Sequence, residues 1–192
     1  MIIRLATAAD AKAVLDIYAP FITDTSLTFE LEVPALEDFA RRIEHYNEYA
    51  PWLVADEHGR VAGYAYASRH RERGGYQWSV ECSIYMHPDF NGSGTAAKLY
   101  QALFKILQWQ GFRNVYAVIN LPNDRSVRFH EKLGFQYQFT FENVGYKLGK
   151  WKNVGWWLLN LNPYDNPPQM PHPFPEISNS IEVQKILAEH NS

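Results

Sequence analysis

Apolar positions along the chain follow two rhythms, alternation in short runs and a three-to-four spacing in longer ones, and together they predict the order of elements. "IIRLA" reads as a short strand leading into "TAAD", where Thr7 stands three residues before Asp10 as in a capping box. Val14, Ile17, Tyr18 and Ile22 then form the apolar stripe of a first helix. "LTFELE" alternates like a strand, and Pro34 opens a second helix carrying Leu36, Phe39 and Ile43. "WLVADEHGRVAGYAYA" holds two strand-like runs about the turn residues Glu57 to Arg60, which predicts a hairpin. The charged loop "SRHRERGGY" precedes a further strand, "QWSVECSIYM". A glycine-punctuated loop follows, then a helix from Thr95 to Gln110 stopped by Gly111. The strand "NVYAVI", a short helix "NDRSVRFHEKL" stopped by Gly134, and the strands "FQYQFTFE" and "VGWWLLNL" complete the pattern.

This succession of one strand, two helices, a run of antiparallel strands and a strand–helix–strand unit predicts an α+β domain. Its mixed, mostly antiparallel central sheet would be flanked by helices. From Asn162 the pattern stops, because "NPYDNPPQMPHPFP" holds six prolines and cannot join a packed sheet. The expected division is a domain over residues 1–161 and an extension over 162–192, a linker ending in the short helix "SIEVQKILAEH". No periodicity ties the linker to the core, so the extension is expected to be dispensable for folding.

Composition narrows the function classes. Eighteen basic and 21 acidic side chains among 192 residues leave a formal net charge of −3, which provides no field for wrapping nucleic acid. Cys82 is the single cysteine, so there is neither a disulfide framework nor a thiolate metal cluster. The seven histidines never take a tight ligand spacing such as H-E-x-x-H, and no metal is implied. No basic-then-apolar leader precedes Ile2, and no apolar run approaches the roughly 20 residues of a membrane span. These absences predict a soluble, cytoplasmic protein with no nucleic-acid or membrane partner.

Candidate chemistry begins in "HPDFNGSGTAAKLYQALF". Gly92, Gly94 and the small residues Thr95, Ala96 and Ala97 sit where a helix begins, with unpaired N–H groups and the positive end of its dipole outward. Such a terminus suits a pyrophosphate. The Walker pattern fails for want of a G-K-[ST] at the required distance. A dinucleotide fingerprint is formally matched by Gly92, Gly94 and Ala97 but lacks a parallel βαβ setting, and an ordinary strand-to-helix turn is the plain alternative. On "SVECSIYM" the alternation puts Val80, Cys82, Ile84 and Met86 on one face and Ser79, Glu81, Ser83 and Tyr85 on the other. A carboxylate in mid-strand is either solvent-facing or functional.

The stretches "PWLVADEHGRVAGYAYA", "YQWSVECSIYMHPDFNGSGTAAKLY", "QGFRNVYAVINLPNDRSVRFHEKLGF" and "VGYKLGKWKNVGWW" together resemble the GNAT superfamily of acyl-CoA-dependent N-acetyltransferases. Within it they are most similar to the phosphinothricin acetyltransferase-like branch. The resemblance spans about Ile3 to Leu161 and implies the GNAT fold. The family's loop pattern, Q/R-x-x-G-x-G/A, is met at Gly94 and Ala96, with Asn91 where Arg or Gln is usual and Ser93 where this branch often carries a basic residue. Those departures remove side-chain donors and leave the backbone cradle, so acetyl-CoA is the expected co-substrate, held less tightly than usual.

By the same resemblance, the backbone of Ile84, Tyr85 and Met86 would pair with the pantetheine arm of the donor. Asn123 would hydrogen-bond that arm, its plain alternative being a turn or N-cap residue, and Ser126 falls among the donor contacts. Glu81 matches the glutamate assigned as general base, acting through water on an amine that is mostly protonated at neutral pH. His130 stands one turn after Ser126, where many relatives carry a tyrosine and this branch a histidine, and is a candidate acid or donor-site contact. Arg71, Arg73 and Tyr76 in the charged loop, with Phe29 and Lys147, are candidates for holding an acceptor carboxylate, against the plain reading of a solvated loop. Cys82 lies on the apolar face as an inert thiol. The resemblance implies a homodimer and a small amino-acid-like acceptor of the phosphinothricin, methionine sulfoximine or methionine sulfone type. A peptide N-terminus and a non-catalytic acyl-CoA-binding module are the rivals.

Overall fold

The computed structural model describes residues 1–191. The first strand, β1 (Ile2–Leu5), runs through a 3-10 turn at Ala8–Asp10 into α1 (Ala11–Asp24), and α2 (Leu36–Asn47) follows. The Thr7 N–H donates to Asp10 Oδ2 at 2.9 Å, so the acidic residue closes the turn that starts the first helix. β2 (Trp52–Glu57) and β3 (Arg60–Arg69) form the hairpin, and its two turn residues, His58 and Gly59, both take positive φ. Next come β4 (Ser79–Met86), α3 (Thr95–Gln110), β5 (Asn114–Leu121), α4 (Asp124–Lys132), β6 (Gln136–Lys147) and β7 (Lys150–Asn160). Two short helices, α5 (Phe174–Ile177) and α6 (Ile181–Glu189), close the chain.

The seven strands make one sheet in the order β1-β2-β3-β4-β5-β7-β6, antiparallel throughout except for β4 and β5. This is the α+β arrangement that the periodicity predicts. Alternation on the strands feeds two cores. Trp52, Val54 and Tyr64 pack under α1 and α2 on one face. Leu53, Ala65, Val80 and Cys82 pack under α3 and α6 on the other. Both faces of the central strands are therefore dry, which is why "WLVA" and "GYAYA" are apolar almost without interruption. No helix among the described residues is long and apolar enough to cross a membrane.

Two expectations are corrected. "LTFELE" is not a strand but a loop across the end of the sheet, with Leu27, Phe29 and Leu31 substantially exposed. Its polar residues turn inward instead: the Tyr18 hydroxyl lies 2.7 Å from Thr28 Oγ1, and Glu30 accepts from Arg42 at 2.6 Å. Alternation alone cannot tell a strand from a loop pinned by alternate side chains. The extension, moreover, is not separable from the core. Its proline stretch has no regular structure, yet Phe174, Val183 and Leu187 are buried in the core beneath α3. The tail is also tied down by Arg113 to Asp165 at 2.7 Å and by the Trp78 indole N–H to the Gln169 carbonyl at 2.7 Å. Burying three large apolar side chains is worth several kcal/mol at about 1.5–3 kcal/mol each, so the tail contributes to folding.

Candidate active site

β4 and β5 run side by side, parallel, only from Ser79–Asn114 to Cys82–Ala117. Past that point β4 continues to Met86 and β5 to Leu121 without pairing to each other, so the sheet splits. The edge of β4 from Ser83 to Met86 therefore presents backbone groups to a gap rather than to a neighbouring strand. Unpaired backbone groups in a sheet interior call for a partner.

The gap leads to the glycine loop. Gly92 and Gly94 take φ of 80° and 84°, a left-handed conformation open to glycine, and a Cβ on either would project into empty space. Gly94 is the N-cap of α3, so the helix dipole begins there. The N–H groups of Gly92, Gly94 and Ala96 make no hydrogen bond among the described residues. Those of Thr95 and Ala97 are turned to Ser93 Oγ and to the Gly94 carbonyl. Ser93 is spent inside the loop, its hydroxyl 2.8 Å from both the Phe90 carbonyl and Thr95 Oγ1. Asn91 accepts a hydrogen bond from Arg125 Nη2 at 2.9 Å, which brings a guanidinium from α4 to the loop that lacks a basic residue of its own.

Glu81 lies opposite Tyr116 of β5, one residue before the pairing ends. Its Oε1 accepts from His70 Nδ1 at 2.9 Å and lies 3.6 Å from Arg71 Nη1, whereas Oε2 has no partner among the described residues. Burial pushes this carboxyl above the usual carboxylate range, and His70 and Arg71 only partly offset the effect. The His70 ring stacks on Tyr116 at 4.8 Å and meets Trp156 edge-on at 5.6 Å. A cavity of about 180 Å³ opens on the α2 side, lined by Tyr46, Tyr49, Arg69, Glu72 and Ser68, the last being the register partner of Glu81 on β3.

The other candidates divide by location. Ile84, Tyr85 and Met86 lie on the split edge of β4, with the Tyr85 ring packed against Tyr18 at 4.8 Å and Phe21 at 5.1 Å. Asn123 is the N-cap of α4, its Oδ1 accepting from the Ser126 N–H at 3.2 Å. His130 is buried among Tyr100, Phe129 and Phe135. Its Nδ1–H donates to the Ser126 carbonyl at 2.8 Å, which leaves Nε2 to accept from the Tyr100 hydroxyl at 3.3 Å, and burial holds the imidazole neutral by lowering its pKa. Cys82 is buried beneath the same tyrosine, its thiol pushed up to about 12. Arg71 and Tyr76 stand beside His70. Arg73 has no ion-pair partner among the described residues. Lys147 is buried and donates to the Thr28 carbonyl at 2.7 Å, and Phe29 lies against Gly145, so both hold the 25–35 loop over the end of the sheet.

His70, Tyr116, Trp156 and Arg125 are members of this site that periodicity did not single out. His70 sits in a charged run that reads as solvated, Arg125 in a short helix with no role assigned to it, and only the pairing of β4 with β5 and β5 with β7 brings Tyr116 and Trp156 to His70.

A model of the acetyltransferase (GNAT) domain matches residues 3–156. A phosphinothricin N-acetyltransferase of Streptomyces viridochromogenes is 39% identical over 175 residues, 91% of this chain and 95% of that relative. An L-methionine sulfoximine/L-methionine sulfone acetyltransferase of Pseudomonas aeruginosa is 34% identical, covering 86% of this chain and 98% of its own. Among solved structures, a GNAT superfamily phosphinothricin acetyltransferase from Sinorhizobium meliloti in complex with acetyl-CoA superposes with a TM-score of 0.81 at 33% identity, over 88% of this chain and 91% of that one.

Proposed function

The chain belongs to the GNAT acetyltransferase family, and from that premise we propose that it moves an acetyl group from acetyl-CoA to the primary amine of a small amino acid. The observation that carries this reading is the position of Glu81, at the fork where β4 and β5 part, with a free backbone edge running from it to the glycine loop. The residues fit the donor. Three unbonded N–H groups at the start of α3 suit a pyrophosphate, the space beside Gly92 and Gly94 lets it approach the backbone, and Arg125 supplies a cation at the rim. The edge of Ile84, Tyr85 and Met86 suits an amide-bearing arm, which Asn123 would meet from the β5 side. The thioester, when bound, supplies the acyl group and the thiolate that leaves.

Glu81 takes up the proton of the entering ammonium through water at its free Oε2, and a backbone N–H of the β4 edge stabilises the charge that develops on the carbonyl. His130 is read as a buried support beneath the donor site rather than an acid, because its one proton is held by the Ser126 carbonyl and its other nitrogen by Tyr100. Arg71, 3.6 Å from the Glu81 carboxylate, and Arg73 of the same loop are read as the cations that hold a carboxylate beside the amine, and Phe29 and Tyr76 as the rings that close the pocket. Relatives named for phosphinothricin, methionine sulfoximine and methionine sulfone support an α-amino acid with a tetrahedral side-chain end as acceptor.

A homodimer is part of the proposal. Phe139, Phe141, Val144, Tyr146, Leu148 and Trp151 are each at least 44% exposed on the β6–β7 hairpin, a run of large apolar side chains that a second copy would cover. Light scattering at micromolar concentration should return twice the chain mass. For the reaction, thiol release is compared on methionine sulfone, its decarboxylated amine and a short peptide. Equal efficiency on the decarboxylated amine would remove the carboxylate clamp, preference for the peptide would make it a peptide acetyltransferase, and donor binding with no thiol release on any amine would make it a binding module.

A further inference from the structure

We propose that His70 is a positioning residue for the base: it fixes the Glu81 carboxylate through Oε1, leaves Oε2 directed to the acceptor amine, and makes the ionisation of the base depend on the pair. The inference rests on the reading of Glu81 as general base and deepens it.

Three features separate this pair from an incidental surface contact. The hydrogen bond is short, 2.9 Å, and both side chains are largely buried, with 15% and 27% of their surface exposed. The imidazole is held on two sides by strands remote in sequence, stacked on Tyr116 of β5 and edge-on to Trp156 of β7, so it does not turn away from Glu81 without losing both ring contacts. Finally, the carboxylate is engaged on one oxygen only. A carboxylate held by Oε1 and free at Oε2 has a single orientation in which to receive a proton, and a fixed geometry is what general-base catalysis requires. The groups around Glu81 are His70 and Arg71 at the end of β3 and beyond, Tyr116 from β5, and Tyr46 from α2. Of these, His70 donates the closest hydrogen bond to the carboxylate and so does most to favour its charged form against burial.

The sign of the pH effect follows. Loss of the His70 hydrogen bond leaves burial less opposed, so the Glu81 pKa rises and the base ionises only at higher pH. The experiment compares kcat/KM for acetyl transfer to methionine sulfone against pH in the unaltered protein, His70→Phe, His70→Asn and Glu81→Gln, with donor affinity by calorimetry and thermal melts as controls. His70→Phe keeps the stack and removes the hydrogen bond. Its acidic limb should move to higher pH, with kcat/KM falling about tenfold for each unit of displacement at a pH below the limb and recovering at alkaline pH. His70→Asn, which can donate from its amide, should return the limb toward its original position, and donor affinity should stay constant in all. If Glu81→Gln is inactive while the limb of His70→Phe is unmoved, the positioning role is overturned and the base stands. If Glu81→Gln retains turnover with chemistry rate-limiting, the base assignment itself has failed. Should His70→Phe not fold, carbon-13 NMR of the Glu81 carboxyl in the unaltered protein and in His70→Ala decides: a Glu81 titration moved to higher pH in His70→Ala supports the positioning role, and an unmoved one overturns it.

Discussion

Where the proposed donor groove is lined by backbone, the acceptor region is lined by side chains. On the proposed donor side the groups on offer are the N–H groups of Gly92, Gly94 and Ala96 and the free edge of β4, and Ser93 is consumed in holding the loop's shape. On the acceptor side Glu81, His70 and Arg71 form one hydrogen-bonded set, and the 25–35 loop is held over the sheet by Tyr18, Arg42 and Lys147. A backbone site tolerates drift in its side chains, since amide groups are the same in every residue. Asn91 can therefore stand where Arg or Gln is usual, and Ser93 where a basic residue is frequent, while the cradle survives, and Arg125 brings a cation from another helix. A side-chain site has no such tolerance. Specificity for the amine should therefore change with single residues where donor binding does not.

The largest effect tests that division at its centre. Glu81→Gln keeps the shape of the acceptor region but cannot take a proton, so turnover at neutral pH should fall by about 10²–10⁴, with donor affinity by calorimetry unchanged. Gly94→Val attacks the other region. A branched side chain at a φ of 84° is strained by about 1–3 kcal/mol and fills the open space beside the helix start, so donor affinity should fall roughly tenfold to a hundredfold while the Glu81 pH limb stays put. Unchanged donor affinity would mean the phosphates lie elsewhere.

Smaller effects sharpen the comparison. Arg73→Gln, which leaves the Arg71–Glu81 contact in place, should raise KM for methionine sulfone about fivefold, as expected for one exposed charge-assisted contact, and leave its decarboxylated amine unaffected. Equal loss on both acceptors would argue against a carboxylate clamp. The smallest effect concerns His130, buried and neutral with a pKa below its ordinary 6.5. The unfolded chain takes up a proton there first as pH falls, so the stability that depends on neutral His130 is whole above about pH 6.5 and is lost below it, at up to about 1.4 kcal/mol per pH unit. Urea unfolding midpoints at pH 7.5 and 5.5 should converge in His130→Asn relative to the unaltered protein.

Periodicity by itself determined the element types, because burial on one face or two imposes a spacing that any reader of the chain can count. The helix from Thr95 to Gln110, with Gly111 beyond it at φ 99°, is legible to the residue, and so are the hairpin at His58 and Gly59 and the two faces of β4. Glycine at positions 92 and 94 marked a left-handed turn at a helix start, with a pyrophosphate site and a plain strand-to-helix turn as its two readings. Tertiary structure alone decided the rest. That "LTFELE" is a pinned loop depended on Tyr18, Arg42 and Lys147 arriving from three other elements. The place of the tail depended on an apolar surface of α3 that Phe174 and Leu187 cover. His70 joined Glu81 because β3 pairs antiparallel with β4, setting Ser68 opposite Glu81, and the fork of β4 and β5 leaves that carboxylate open. Local patterning reports what each residue must hide from water, but which distant group it meets is set by the register of strands, and register is a property of the folded sheet.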